Sequence, residues 1–368
     1  MRVIFACAGT GGHINPAIAI ANLIKEKYNN SEFLFIGTKN GLENKLVIQA
    51  GFKIKHIRTG KIIRSITFKN VKQLYNAYLG TFDTKRILKE FKPDLVIGTG
   101  GYICVPVMFA AKSLKVPYML HESNSLPGVS VKLFAKNAKC VMVGFKETTE
   151  KLKYKENVVY TGSPAKFDKI KYDNLDVSVC KKKLGITTNK KYIVLVTCGS
   201  QGAVKINETL LELLKKYQDE DIYYILVTGD KNYDEICKEK SKVESQINKS
   251  LDEYIKLERF VFDMDKMYKI SDLCVTRAGA MTVTELKLSN KKAILIPLPS
   301  AAENHQYYNA KVLENLGYGE ILEQKKLSVE TLHNLVRKML EEKTINIHDE
   351  ENLDVNNRIY ECIKNALK

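Results

Sequence analysis

Apolar runs alternate with amphipathic stretches from one end of the chain to the other. "RVIFACAG", "EFLFIGT", "FKIKHIRTG", "DLVIGTG", "PYMLHES", "KCVMVGF" and "NVVYTGSP" form a first series; "KYIVLVTCG", "IYYILVTG", "KLERFVF", "LCVTRAG" and "KAILIPL" form a second. Several runs are apolar at consecutive positions, which is what strands covered by helices on both faces require. The segments between them carry helical spacing, so the pattern predicts an α/β protein with doubly wound parallel sheets. Between the two series lies a polar segment with a Gly-Ser-Pro turn, "TGSPAKFDKIKYDNLD", which reads as a linker. A chain of 368 residues is long for one core and suits two domains. The expected boundaries are 1–162 and 163–349, with the final helical pattern, about 350–368, returning to pack on the first domain.

Four strand ends rhyme: "GTGG" at Gly9–Gly12 and again at Gly98–Gly101, "GSQGA" at Gly199–Ala203, and "RAGAMT" at Arg277–Thr282. A glycine turn from strand to helix aims backbone N–H groups at a helix N-terminus, where an anion is favoured. In open α/β sheets the ligand crevice lies beyond the carboxyl ends of the strands, so four such turns predict ligand contact. The ligand is not NAD, because Ile14 stands where the dinucleotide fingerprint needs its third glycine and the second strand ends in Thr38 and Lys39 instead of an acid. No Lys-Ser or Lys-Thr follows the glycines, which excludes a Walker nucleotide site.

Composition narrows the partners. With 45% hydrophobic and 27% charged residues, the chain reads as globular. It has no run of 18 apolar residues and enters a strand at once, so neither a spanning helix nor a secretory signal is expected, and the expected location is cytoplasmic. The eight cysteines are scattered without C-x-x-C pairs and read as buried thiols. The net charge of +16 is polarised: residues 1–160 hold 25 Lys+Arg against 10 Asp+Glu, and the rest hold 33 against 32. A basic half points to nucleic acid, an anionic membrane face or a phosphorylated substrate. No recognition helix, aromatic RNA-binding strand or zinc pattern supports nucleic acid. The stretch Lys53–Lys92 holds 11 Lys+Arg against 2 Asp+Glu. Around Ile62, Ile63, Arg64, Ile66, Phe68, Lys69 and Lys72 it mixes cations with apolar side chains, as an interfacial membrane surface does. Its later part, with Leu74, Tyr75, Tyr78 and Leu79, is expected to be an amphipathic helix whose apolar face enters the core.

Taken together, "GTGGHINPAIAIA", "GTGGYICVPVMFAA", "HESNSLPG", "TGSP", "GSQGA", "TRAGAMTVTEL" and "ENHQYYNA" resemble, in order and spacing, the MurG family of glycosyltransferases over nearly the whole chain. The resemblance implies a GT-B fold, two Rossmann-like domains facing a central cleft. It also implies transfer of N-acetylglucosamine from UDP-GlcNAc to the 4-hydroxyl of the muramoyl sugar of lipid I, with inversion. That step gives lipid II for peptidoglycan synthesis, hence for cell-wall biogenesis, cell shape and division, at the cytoplasmic face of the cell membrane. Besides UDP-GlcNAc, lipid I and the anionic membrane surface, other cell-wall synthesis proteins are implied as partners. By this resemblance the N-terminal domain takes the acceptor and the membrane, and the C-terminal domain takes the donor.

The residues suit a sugar nucleotide. Amides near Ala280, Met281 and Thr282, followed by Val283 and Thr284, stand where a diphosphate would meet a helix N-terminus. Glu285 would accept the ribose hydroxyls in the family's manner; the alternative is a Thr282–Glu285 capping box. Ser200 and Gln201 are expected near phosphate or uridine, Val261 at the uracil edge, and Gln306, Asn309 and Asn124 on the donor sugar. Thr10, Gly11 and Gly12 would offer amides where donor diphosphate and acceptor meet. Lys166 follows "TGSP" where many members carry Arg, which keeps charge without the bidentate fork.

An inverting transfer needs one base and no covalent carboxylate, and His13 and Glu122 are both candidates, with His121 and His305 behind them. Asp263 and Asp265 spell D-x-D, but they open a helix and read as capping residues. No tightly bound metal is expected, and Mg²⁺ is left open as an assisting ion. The alternative function is another GT-B lipid glycosyltransferase with a diacylglycerol-type acceptor. A UDP-GlcNAc 2-epimerase is disfavoured because it needs further acid/base carboxylates and no docking surface.

Overall fold

The computed structural model describes residues 1–60, 68–164, 169–199, 202–342 and 354–368. Their contacts divide the chain into two units, Met1–Lys166 with Glu351–Lys368, and Phe167–Glu350. Both are parallel α/β sheets with helices on the two faces, as the apolar runs predict.

In the first unit the strands are β1 (Arg2–Cys7), β2 (Glu32–Gly37), β3 (Lys53–His56), β4 (Leu95–Gly100), β5 (Tyr118–Glu122), β6 (Cys140–Val143) and β7 (Val158–Tyr160). They lie in the order β3-β2-β1-β4-β5-β6-β7 and pair in parallel throughout. Alternate residues of β1 feed two cores. Ile4 and Ala6 join a cluster with Ile87, Val107 and Val131, while Val3, Phe5 and Cys7 pack with Ile14, Ile20 and Ile24 of the helix Gly11–Lys27. Both faces being apolar is the reason the run shows no polar alternation. The C-terminal helix Val355–Ala366 belongs to this second core, with Ile359, Cys362 and Ile363 beside Cys140 and Met142.

The second unit holds β8 (Tyr192–Thr197), β9 (Ile222–Val227), β10 (Ile255–Glu258), β11 (Leu273–Thr276), β12 (Ala293–Leu295) and β13 (Gly319–Ile321), in the order β10-β9-β8-β11-β12-β13. Each sheet therefore reverses its direction of growth once, between β1 and β4 in the first and between β8 and β11 in the second. Glycines end those four strands: Gly9 follows β1, Gly100 and Gly101 close β4, Gly199 and Gly202 follow β8, and Gly279 follows β11. They sit at the two topological switch points, where adjacent helices leave in opposite directions and open a crevice at the strand ends.

One expectation needs correction. The helix Phe68–Phe91 turns Leu74, Tyr75, Tyr78 and Phe82 outward, each at least half exposed. Its buried face is Gly80, Thr84, Ile87 and Leu88 instead. The helix carries more apolar surface than the one face that meets the sheet layer can cover.

Candidate active site

The first switch point is built around His13. Thr10 is the N-cap of the helix Gly11–Lys27, without a side-chain cap bond, and its carbonyl accepts from His13 N at 3.0 Å. The pairing of β1 with β4 slips by one residue, Ala6 facing Gly98 and Cys7 facing Gly100. This bulge redirects Thr99, whose Oγ1 donates to His13 O at 2.7 Å from a buried position. Gly100, at φ +119°, lies under the imidazole, and a Cβ there would run into His13 Nδ1. Gly101, at φ +85°, lets the second turn close on Ala8 O. The two "GTGG" turns thus pack on one another, and glycine is needed at both places for its φ and for its missing side chain.

A buried glutamate absent from the sequence reading supports the opening turn. Glu43 begins the helix Glu43–Gln49 and is fully buried. It accepts from Gly9 N (3.3 Å), Thr38 N (2.8 Å) and Thr38 Oγ1 (2.7 Å). Three donors compensate the burial of its carboxylate. Its helix reads ENKLVIQ, in which an acid beside Asn44 and Lys45 looks like an ordinary solvent-facing residue, so the sequence gives no local sign of its burial.

Glu122 is a loop-holding group. Its Oε1 accepts from Asn124 N (2.9 Å) and Asn124 Nδ2 (3.0 Å), and its Oε2 from Gly128 N (2.7 Å). Burial pushes its pKa up, and the Gly128 and Asn124 hydrogen bonds pull against that. Both carboxylate oxygens fold "HESNSLPG" onto itself, and Asn124 is drawn into the same network. His121 is fully buried, with Nδ1 3.4 Å from Ser123 Oγ. Burial holds its pKa down at about 4, a Gly162 hydrogen bond opposes the shift, and His13 nearby adds to it.

In the second unit, the helix Ala280–Leu288 starts directly after β11. Its N-cap is Gly279, no side chain caps it and no acid occupies its first turn. Thr282 therefore lies inside the helix, and the Thr282–Glu285 capping box does not form. The amides of Ala280, Met281 and Thr282 end the helix at its positive pole. One turn on, Val283, Thr284 and Glu285 are buried, and Thr284 Oγ1 donates to Ala280 O. Glu285 Oε2 accepts from Tyr268 Oη at 3.0 Å. Tyr268 is hidden in the ordinary helical pattern "MDKMYKI", which gave no sign of the contact.

Other side chains brace this turn. Arg277 donates to Ile296 O, Pro297 O and Gln324 Oε1, tying the strand ends together. Asn309 is fully buried and donates from Nδ2 to Ala278 O at 3.2 Å, so it holds the turn from beneath. Gln306 Oε1 accepts from Leu298 N at 2.9 Å. His305 Nδ1 lies 2.7 Å from Ala302 O. Val261 follows β10, flanked by Phe260 and the almost fully exposed Phe262, whose rings meet edge to face at 4.9 Å.

Asp263 does occupy the N-cap of Met264–Ile270, but its carboxylate makes no cap bond and pairs with Lys266. Among the described residues, no group of three or more His, Cys, Asp or Glu is arranged to hold a metal.

Ser200, Gln201, Lys166 and the docking residues Ile62, Ile63, Arg64 and Ile66 lie outside the described residues. Phe68 and Lys69 open the helix Phe68–Phe91, and Lys72 is exposed on it.

Comparison with known proteins adds to this geometry. Residues 3–143 match the glycosyltransferase family 28 N-terminal domain, and residues 193–365 match its C-terminal domain. The chain is 38% identical over 370 residues to the UDP-N-acetylglucosamine–N-acetylmuramyl-(pentapeptide) pyrophosphoryl-undecaprenol N-acetylglucosamine transferase of Thermoanaerobacter sp. (strain X514), covering 99% of each chain. Its structure resembles the crystal structure of Acinetobacter baumannii MurG, with a TM-score of 0.73, 26% identity and 99% of each chain covered. It also shares its fold with a UDP-GlcNAc 2-epimerase from Neisseria meningitidis, at a TM-score of 0.60, 13% identity and 99% of each chain covered.

Proposed function

The chain belongs to glycosyltransferase family 28 and to its MurG group, and from that premise we propose that it transfers N-acetylglucosamine from UDP-GlcNAc to the muramoyl 4-hydroxyl of lipid I. The product is lipid II, and the enzyme serves peptidoglycan synthesis. The observation that carries the donor half is the uncapped N-terminus of Ala280–Leu288, followed one turn later by Glu285 with its carboxylate held by Tyr268.

The chemistry follows from charge. When the C1–O bond of the donor breaks, negative charge grows on the UDP diphosphate. Fixed N–H dipoles of Ala280, Met281 and Thr282 would stabilise that charge without reorganising during the step. Glu285 would accept the ribose hydroxyls and fix the nucleotide in register. Val261 would meet the uracil edge, Gln306 the donor sugar, and Asn309 would act on it through the turn it supports. Ser200, Gln201 and Lys166 are assigned to the nucleotide and phosphates on family resemblance.

The acceptor hydroxyl must lose a proton as it attacks C1 from the opposite face, which inverts the anomeric centre. We assign that proton to His13, the histidine held at the first switch point by Thr10, Thr99 and Gly100. Glu122 then serves to shape the loop beside it, with Asn124, and is not the base. Thr10, Gly11 and Gly12 would offer amides to the acceptor or the donor diphosphate. No resident metal is assigned, since the helix amides suit the leaving diphosphate; activity lost to a chelator and restored by Mg²⁺ would move part of that work to the ion.

The membrane is reached from the first unit. No helix among the described residues is long and apolar enough to span a bilayer. The outward face of Phe68–Phe91, with Leu74, Tyr75, Tyr78 and Phe82 beside Lys72 and Lys85, suits peripheral contact with anionic lipid.

The deciding assay supplies labelled UDP-GlcNAc with a lipid I analogue or with diacylglycerol. Transfer to the lipid I analogue is expected; transfer confined to diacylglycerol would overturn the reading.

A further inference from the structure

The first unit contains a polar cavity of about 740 Å³ between the ends of β2 and β3 and the helix Phe68–Phe91. Lys39, Arg58 and Arg86 bring three cations to its wall, while Asn40, Gln73 and Asn76 bring amides. Among the described residues Asp83 is the only acid lining it, and it is already engaged: Arg58 Nε and Nη2 donate to its two oxygens at 2.8 and 2.7 Å. That pair holds the Asp83 carboxyl below its ordinary pKa. Lys39 and Arg86 form no salt bridge among the described residues. The wall is thus net positive and rich in amide donors and acceptors.

Its location ties it to the proposed acceptor turn. Tyr102 lines the cavity two residues past Gly100, the residue under the His13 ring. Thr38 and Gly41 line it from the other side, and Glu43 fixes Thr38 through the carboxylate that also accepts from Gly9 N of the opening turn. Cavity wall and His13 turn are therefore parts of one hydrogen-bonded assembly.

The acceptor's own chemistry supplies an occupant. Muramic acid carries its lactyl-linked peptide on O3, the oxygen vicinal to the O4 that is glycosylated. Any residue that reaches O4 has the first residues of the peptide beside it. A pentapeptide has a backbone that needs amide partners and ends in a carboxylate that needs a cation.

We infer that this cavity, walled by Lys39, Arg58, Arg86, Asn40, Gln73 and Asn76, is the subsite for the acceptor's peptide, with Lys39 and Arg86 meeting its carboxylates. The inference rests on the acceptor being a muramoyl peptide, as assigned above. It makes the peptide a source of acceptor selectivity, separate from the diphosphate and the lipid.

The test uses the full chain and a Lys39→Ala/Arg86→Ala variant of unchanged melting temperature. Two lipid I analogues share the same short lipid and diphosphate; one carries the pentapeptide, and the other has a lactyl amide in its place. Expected is a rise of five- to tenfold in KM for the pentapeptide acceptor, with KM for the lactyl amide and for UDP-GlcNAc within twofold of wild type. An equal rise for both acceptors would assign these cations to the diphosphate or the membrane and overturn the inference, as would no rise for either. Calorimetric titration with lipid-free muramoyl pentapeptide reads the subsite without turnover: binding to wild type that weakens in the variant supports it, and no binding to wild type overturns it. Failure of wild type to glycosylate either analogue would instead count against the proposed function.

Discussion

The Tyr268 hydroxyl stands 3.0 Å from Glu285 Oε2, buried between the helices Met264–Ile270 and Ala280–Leu288. Burial pushes the phenol pKa well above its ordinary value, with the Glu285 charge adding to the shift, so Tyr268 remains the donor at any working pH. A hydrogen bond to a charged group contributes about 1.5–3 kcal/mol. Tyr268→Phe should keep the fold and raise the KM for UDP-GlcNAc about tenfold, with kcat within about twofold. The measurement that isolates the role is discrimination between UDP and 2′-deoxy-UDP: it should shrink in the variant, whereas a general loosening would weaken both ligands alike.

His13→Ala tests the base. Turnover should fall at least about tenfold, roughly 1.4 kcal/mol or more in the barrier, while UDP-GlcNAc binding by calorimetry stays near wild type. Lost donor binding with normal turnover at saturation would make His13 a donor residue.

Gly100→Ala reaches the same group without touching its chemistry. The new Cβ would collide with His13 Nδ1 at a backbone φ of +119°, a conformation that costs a non-glycine residue about 1–3 kcal/mol. Turnover should drop at least about tenfold with little change in donor KM; activity equal to wild type would show that the ring's placement against Gly100 is unimportant.

His121 makes stability depend on pH. Its folded pKa is down at about 4, against about 6.5 in an unfolded chain. The unfolded state therefore binds the proton first, so stability is complete above pH 6.5 and is lost as pH falls from 6.5 towards 4. Between pH 7 and 4.5 this amounts to about 2 kcal/mol. Urea unfolding at the two pH values should show that loss in wild type and less of it in His121→Asn, and an equal loss in both would remove His121 as its source.

Tyr78→Ser with Phe82→Ser should weaken sedimentation with anionic vesicles severalfold and leave transfer to a short-chain, water-soluble acceptor intact. Undiminished vesicle binding would move the docking surface off this helix face.

Some features of the two switch points are legible in the sequence. The four glycine turns, His13 after Gly-Gly, and Glu285 one turn into a helix all declare themselves through local chemistry: glycine where φ is positive, and amides at a helix start. The groups that hold them did not. Glu43 meets Gly9 across 34 positions and Thr99 meets His13 across 86, and no local pattern encodes either distance. Glu122 looks, as a string, like a candidate base, and only the fold shows that both its oxygens accept hydrogen bonds from its own loop, at Asn124 and Gly128. The aromatic face of Phe68–Phe91 meets solvent where its pattern suggests core, because helical spacing states which residues share a face and not what that face meets.

The sequence by itself determined the α/β class, two parallel sheets, their strands and the glycine turns at the strand ends, because apolar runs, glycines and helix starts are short-range signals. Tertiary structure decided which strands neighbour one another, hence that the turns fall in pairs at the switch points. It also decided which polar side chains are consumed as buried hydrogen-bond partners and which remain to act on a substrate, since burial and partnership exist only once distant segments have packed.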